Sequence, residues 1–208
     1  MFLGKVIKNL NKKYNYIKFR GISFNSKKCK NNDIFFAIRG NDLNGTKYID
    51  EAIRNGAKVI ISNLKFQGFN KKKILFIRSK NPRDTLSYAA SILYKQKPKN
   101  IVAVTGTNGK TSIANFYYQI LNLNKIPVAS IGTLGVLSKK FKKKTYNTSI
   151  DPIKTHEYLN KLKRLNVNNI ILEASSHGLK QSRLNYINID TAIFTNLSRD
   201  HLDYHKTL

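Results

Sequence analysis

Most of the chemistry in this sequence lies in the run Val104-Thr105-Gly106-Thr107-Asn108-Gly109-Lys110-Thr111-Ser112. Gly106 and Gly109 let the backbone turn tightly and aim its N–H groups at an anion. A helix beginning here would add the partial positive charge of its N-terminus. Lys110 would neutralise phosphate charge, and the Thr111 hydroxyl can bind Mg²⁺. The run is a phosphate-binding loop in its chemistry, made of Thr105, Gly106, Thr107, Asn108, Gly109, Lys110, Thr111 and Ser112. It departs from the general G-x-x-x-x-G-K-[ST] pattern, because Val104 stands at the first glycine position. A glycine-rich strand-to-helix turn without a ligand is the plainer reading, and the Lys-Thr pair counts against it.

A second group of residues could serve the same site. Glu173 closes an apolar strand-like run, which puts its carboxylate where a sheet edge would meet the phosphate loop, as an oxygen ligand for Mg²⁺. His201 follows another such run and could reach the same region. Taken singly, each would be an ordinary solvated or hydrogen-bonded polar residue.

The elements that must position these residues alternate. Residues 101–105 form a buried-strand pattern, 111–124 a helix, 128–131 a strand, 154–165 a helix, and 169–173 and 191–196 two more strands. Such alternation implies a parallel sheet with helices on its faces, and ligands then bind beyond the carboxyl ends of the strands. Upstream, strands are expected at 33–38 and 58–62, with a helix over 48–55 that Gly56 stops. The polar stretch Gln96-Lys97-Pro98-Lys99-Asn100 separates the two patterned regions. The expected organisation is therefore α/β throughout, with a small domain over 1–97 and a parallel-sheet domain over 98–208. The run Lys139-Lys140-Phe141-Lys142-Lys143-Lys144 reads as a solvated hairpin or loop rather than a nucleic-acid patch, since a single aromatic interrupts it.

The compact T-G-T-N-G-K-T form resembles the Mur ligase family and its relatives, the folylpolyglutamate and cyanophycin synthetases. Two further segments, Glu173-Ala174-Ser175-Ser176-His177-Gly178-Leu179 and Phe194-Thr195-Asn196-Leu197-Ser198-Arg199-Asp200-His201-Leu202-Asp203-Tyr204-His205, are similar to the MurE branch. That branch adds the third stem-peptide residue to UDP-N-acetylmuramoyl-L-alanyl-D-glutamate. The resemblance implies ATP and Mg²⁺ as bound species, with Lys110, Glu173 and His201 catalytic and Thr111, Glu173 and His201 holding the metal. It further implies that Ser175, Gln181, Arg183 and the Asn147-Thr148-Ser149 segment contact the UDP-linked substrate. Phe24-Asn25-Ser26-Lys27 and Asp33-Ile34-Phe35-Phe36-Ala37-Ile38-Arg39-Gly40 are similar to elements of the family's uridine-diphosphate domain. Phe24, Ser26, Asn41, Asp42 and Leu43 are the substrate-facing positions implied there. Asn25 and Lys27 stand where the family has Asp and Arg, which removes an ion pair.

By the same resemblance, the reaction is ATP-dependent amide ligation through an acyl phosphate, with diaminopimelate or lysine as the incoming amine. The family also has a carbamylated metal-site lysine and an amino-acid-binding third domain, both lying beyond the D-H-L-D-Y-H segment. The chain as written is thus expected to be the front part of such an enzyme and inactive by itself. Two other readings stay open: a folylpolyglutamate- or cyanophycin-synthetase-like ligase, and a non-catalytic nucleotide- or nucleic-acid-binding remnant.

Composition narrows these choices. The 208 residues carry 38 Lys plus Arg against 11 Asp plus Glu, a formal net charge of +27. The lysines are spread along the chain among many Asn, Ile and Tyr, which points to compositional drift rather than a specific nucleic-acid partner. Cys29 is the only cysteine, so no internal disulfide forms. No apolar run approaches the roughly 20 residues of a membrane span, and lysines interrupt the N-terminal apolar residues. A cytoplasmic monomer is expected.

Overall fold

The computed structural model describes residues 1–40, 44–145 and 147–198, and divides into two units, Met1–Leu93 and Tyr94–Leu208. The division falls just ahead of the proline-containing stretch that the sequence suggests as a boundary. Each unit is an α/β arrangement around one sheet.

The first unit has β1 (Ile22–Ser23), β2 (Asp33–Phe36), α1 (Ile49–Arg54), β3 (Ala57–Ser62), β4 (Gly68–Phe69), β5 (Leu75–Arg78) and α2 (Pro82–Leu93). The sheet order is β1-β2-β3-β5-β4, parallel except for the β4–β5 pair. Ile34, Phe35 and Phe36 are all fully or nearly fully buried, as expected of a parallel strand covered on both faces. The helix expected over 48–55 spans Ile49–Arg54 and follows a 3₁₀ turn over Gly45–Tyr48. Gly56 adopts φ +103°, and a Cβ there would lie 2.7 Å from the Asn31 backbone, so only glycine ends this helix without strain. Cys29 is buried, and burial pushes its thiol up to about 11, which leaves it protonated and unreactive at neutral pH.

The second unit has β6 (Asn100–Thr105), α3 (Lys110–Leu123), β7 (Val128–Gly132), β8 (Gly135–Leu137), α4 (Pro152–Arg164), β9 (Asn169–Glu173), α5 (Ser176–Lys180) and β10 (Thr191–Phe194). The order among the described residues is β10-β6-β9-β7-β8, parallel throughout except at the β7–β8 hairpin. Alternation along the strands assigns side chains to opposite faces. Ile101, Ala103, Ile170 and Leu172 join Tyr158, Leu159 and Leu162 of α4, whereas Val104 and Ile171 pack with Ala114 of α3. Glu173 has the parity of Ile171, which sends its side chain to the α3 side.

Helix α4 begins earlier than the periodicity predicts, because Asp151 caps it through Lys154 N at 3.0 Å and Pro152 fits the first turn. Strand β10 ends at Phe194 rather than at 196, since Thr195 and Asn196 turn away to bond the phosphate loop. The basic run is partly a hairpin arm: Lys143 pairs with Val136, and Phe141 leaves solvent to meet Tyr158 edge-on at 5.4 Å. No helix among the described residues is long and apolar enough to cross a membrane.

Candidate functional site

Four loops leave the carboxyl ends of β6, β7, β9 and β10, and the side chains with chemistry lie on them or on the strand and helix ends that flank them. After β6, Gly106 (φ +130°) and Gly109 (φ +85°) make the turn into α3. Gly109 stands at the helix N-cap, so α3 starts without a side-chain cap, whereas α4 and α5 have Asp151 and Ser175. A helix start left uncapped by its own side chains suits an anion.

The Lys110 ammonium folds over the loop and donates to the carbonyls of Gly106 (2.6 Å) and Thr107 (2.8 Å). The β10 loop braces the other side. Asn196 accepts from Thr107 N at its carbonyl (2.9 Å) and from Asn108 N at its Oδ1 (3.0 Å), and Thr195 Oγ1 donates to Asn108 O (2.7 Å). A Cβ on Gly106 would sit 2.0 Å from Thr195 Oγ1, so the glycine is required by this brace as well as by its dihedral.

Glu173 is 2 % exposed, yet it makes no ion pair among the described residues. Its Oε2 accepts from Thr111 Oγ1 at 2.8 Å and Thr133 Oγ1 at 3.0 Å, and its Oε1 accepts from Thr133 N at 2.9 Å. The carboxylate crosses the end of β7 where Gly132 leaves room, since a Cβ there would lie 2.1 Å from Oε1. Two neutral hydroxyls and an amide solvate the charge, and a cation placed beside Thr111 and Glu173 would compensate it further. Among the described residues no three His, Cys, Asp or Glu side chains cluster to hold a metal ion. His201, the third ligand expected, lies outside the described residues.

The expected substrate positions divide. Thr148 is half-buried, with its Oγ1 3.0 Å from that of Thr133, and Asn147 is exposed. Ser149 turns inward: it is 3 % exposed, donates to Glu173 O (2.9 Å) and accepts from Ser175 N (2.9 Å) and Ser175 Oγ (3.1 Å). Its hydroxyl therefore holds the β9 loop rather than facing outward. Arg183 donates to Ser149 O and reaches Gln181 Oε1 at 2.8 Å, so Ser149, Ser175, Gln181 and Arg183 form one network.

In the first unit, Phe24 is exposed, whereas Ser26 is buried and donates to the Glu51 carboxylate. Asn25, standing where an Asp is expected, caps the turn at Ser26–Lys28 by accepting from Lys27 N at 3.0 Å. A neutral side chain therefore caps this turn. Asn41, Asp42 and Leu43 lie outside the described residues.

Thr133, Thr195 and Asn196 were not among the expected site residues. The available signal was positional: each lies one or two residues past a parallel strand, on the edge that carries the phosphate loop.

A parallel α/β sheet with an uncapped glycine loop at its carboxyl edge defines a P-loop nucleotide-binding class. The model of the Mur ligase middle domain matches residues 104–208, and that of the Mur ligase family, catalytic domain, matches residues 18–141. The chain belongs to the Mur ligase family. It is 40% identical over 192 residues to the UDP-N-acetylmuramoyl-L-alanyl-D-glutamate--2,6-diaminopimelate ligase of Bradyrhizobium diazoefficiens, covering 92% of this chain and 39% of that protein. The protein of the same name from Wigglesworthia glossinidia brevipalpis is 41% identical over 199 residues, covering 92% of this chain and 40% of its own. A solved structure of a ligase of that name superposes with a TM-score of 0.78 at 30% identity, over 96% of this chain and 40% of that one. The MurF ligase of Thermotoga maritima in complex with ADP gives 0.56 at 28%, over 90% and 40%. The chain spans about two-fifths of the length of the curated relatives it matches.

Proposed function

We propose that the chain forms the nucleotide- and UDP-substrate-binding part of an ATP-dependent ligase that joins 2,6-diaminopimelate to UDP-N-acetylmuramoyl-L-alanyl-D-glutamate. The observation that carries this reading is the meeting of three loops at Glu173, where Thr111 of the phosphate loop lies 2.8 Å from the carboxylate and Thr133 lies 3.0 Å from it. The names of the relatives favour diaminopimelate over lysine as the amine.

In this reading the first unit is the UDP-substrate domain, with Phe24 and Ser26, together with Asn41, Asp42 and Leu43 outside the described residues, as its substrate positions, and the second is the ATP-binding domain. Asn147, Thr148, Ser175, Gln181 and Arg183 would serve the UDP-linked substrate, with Ser149 holding their loop from within. The nucleotide substrates suit a cytoplasmic setting.

The residues present fit Mg²⁺: a hydroxyl and a buried carboxylate with no ion pair among the described residues supply hard oxygen donors, and His201, outside the described residues, is the third ligand proposed. Bound there, Mg²⁺ would screen the triphosphate and favour transfer of its γ-phosphoryl group. Lys110 exchanges its two carbonyl partners for phosphate oxygens, a move of one flexible side chain. Thr133 N–H and Gly132 keep Glu173 aimed at Thr111, and Thr195 and Asn196 hold the loop backbone in its turn. The ligation is balanced as two displacements. The D-glutamyl carboxylate takes the γ-phosphoryl group and releases ADP; the amine then displaces phosphate from the acyl phosphate and loses a proton as the amide forms. Phosphorylation supplies the leaving group that a carboxylate lacks at neutral pH.

The test is calorimetry with Mg·ATP. The chain is expected to bind, and Lys110→Ala to bind roughly 10- to 100-fold more weakly, as befits loss of a charge-assisted phosphate contact. Equal affinity of the two proteins would remove the phosphate-loop assignment.

A further inference from the structure

We propose that Thr133 is a positioning residue that links the cation end of the site to the substrate end, by fixing which way the hydroxyl of Thr148 points. The inference rests on the function proposed above, since it takes Thr111 and Glu173 as the cation side and Thr148 as the substrate side.

The geometry is a chain of oxygens. Thr133 Oγ1 lies 3.0 Å from Glu173 Oε2 and 3.0 Å from Thr148 Oγ1, and Thr111 Oγ1 lies 3.4 Å from it and 2.8 Å from the same carboxylate oxygen. An ionised carboxylate only accepts, and a hydroxyl has a single hydrogen to give. Thr111 and Thr133 therefore both spend their hydrogens on Glu173. The oxygen of Thr133 must then accept from Thr148, which spends its hydrogen inward and turns its lone pairs outward. In this state the edge of the site presents acceptors backed by a buried negative charge, an arrangement that opposes an acceptor-rich anionic ligand.

A cation shared by Thr111 and Glu173 changes the balance. The carboxylate's demand for the Thr133 hydrogen falls, Thr133 is released to donate to Thr148, and Thr148 is released to donate outward. The same ligand then meets a donor where it met lone pairs. Cation–nucleotide binding and substrate binding are thereby coupled favourably through one hydroxyl, and by linkage the coupling is reciprocal. Thr133 is suited to the part because its own N–H also holds Glu173, at 2.9 Å. Loss of the hydroxyl alone therefore leaves the carboxylate anchored. The side chain is exposed on a two-residue hairpin turn, so a change of its end group does not disturb the core.

The experiment measures the dissociation constant of UDP-N-acetylmuramoyl-L-alanyl-D-glutamate with and without saturating Mg·ADP, and that of Mg·ADP with and without the dipeptide. It uses the chain as written, Thr133→Val and Thr133→Ser. Direct attraction between Mg²⁺ and the ligand persists in every variant, so the relay is read as the share of coupling that Val loses and Ser keeps. Thr133→Val is expected to reduce the coupling factor about fivefold, the worth of one net hydrogen bond, equally in both directions, and Thr133→Ser to stay within about twofold of the unchanged chain. Equal coupling in the chain and Thr133→Val would overturn the relay, and so would weaker binding of each ligand alone with the coupling factor intact. Failure of the unchanged chain to bind Mg·ADP would instead overturn the proposed function, and the relay with it. Failure to bind the dipeptide while Mg·ADP still binds would overturn the assignment of Thr148 and the relay, but not the phosphate loop.

Discussion

The parallel strands of the first unit lie across their sheet in chain order, β1, β2, β3 and β5, whereas those of the second run β10-β6-β9-β7, so that the chain leaves β6 in one direction and returns past it in the other. Loops leaving neighbouring strands diverge where the winding reverses, and that divergence opens a crevice at the carboxyl edge. In the second unit this edge holds the phosphate loop, Thr133, Glu173, Thr195 and Asn196. In the first unit, winding in one direction leaves no such reversal, and the residues with comparable chemistry are occupied with one another: Ser26 bonds Glu51, Asn25 caps its own turn, and Asn55 Nδ2 donates to Ser26 O at 2.9 Å. Among the described residues, the same side-chain types thus bond one another within a turn in one sheet and gather at the carboxyl edge of the other. Which they do follows from topology more than from composition.

Glycines break the comparison most severely. Gly56 has φ +103° and would place a Cβ 2.7 Å from the Asn31 backbone, which no rotamer change can relieve. Gly56→Ala should destabilise the first unit by about 3 kcal/mol, the cost of a strained backbone held against a clash, and leave Mg·ATP affinity in the second unit unchanged. Denaturant melts alongside nucleotide titrations check both halves; an altered affinity at unchanged stability would show that the division of labour is drawn wrongly.

Acid should act on the second unit. All four histidines of the sequence lie there, and His156 is fully buried, with Nε2 3.2 Å from Asn185 O and Nδ1 without a hydrogen-bond partner among the described residues. Burial first, and the neighbouring Lys97 charge second, push its imidazole down to about 3 from 6.5. The folded state therefore holds the neutral ring. The stability it confers is complete above pH 6.5 and is lost as pH falls from 6.5 towards 3, by up to ~1.4 kcal/mol per pH unit. Around pH 5 that amounts to roughly 2 kcal/mol. His156→Gln should flatten the stability profile in this window, and an unchanged slope in acid melts would remove His156 as its cause.

A smaller effect is expected at the site itself. In Gly132→Ala the new Cβ displaces Glu173 from the end of β7, so the Mg²⁺-dependent part of nucleotide affinity should fall about tenfold while far-UV circular dichroism is unchanged. Nucleotide binding that responds to Mg²⁺ as before would separate Glu173 from the cation.

Much of this was legible beforehand. Ile170-Ile171-Leu172 reads as a strand because both faces of a central parallel strand are covered, and the phosphate loop reads from local spacing alone. Two-residue strands such as β1 and β4 are too short for any periodicity to show, and α2 buries Ala89 and Ala90, whose small side chains write a weak pattern. Thr133 carries no local signal, since a threonine after Gly132 looks like any hairpin turn. Its meaning comes from β9, which brings Glu173 alongside from distant sequence. Ser26 and Ser149 show the converse: their motifs are local, but whether a hydroxyl faces inward or outward is decided by Glu51 in one case and by the β9 loop in the other.

The smallest effect tests whether the first unit's polar turn is self-supporting. Asn25 stands where the family has an acidic residue, and its side-chain oxygen accepts from Lys27 N at 3.0 Å at the head of a short 3₁₀ turn. An aspartate in the same place would present an oxygen to the same N–H, and its charge would gain little because the turn is partly exposed. Asn25→Asp should therefore change stability by no more than a few tenths of a kcal/mol, whereas Asn25→Ala, which leaves the N–H without its cap, should cost about 1 kcal/mol. Because Ser26 is tied to Glu51 through the same turn, the loss in Asn25→Ala should appear in hydrogen exchange at residues 25–29 before it appears in the global melt. Equal stability of the Ala and Asp variants would mean that the cap contributes nothing, and that Ser26, Glu51 and Asn55 alone keep this turn in shape.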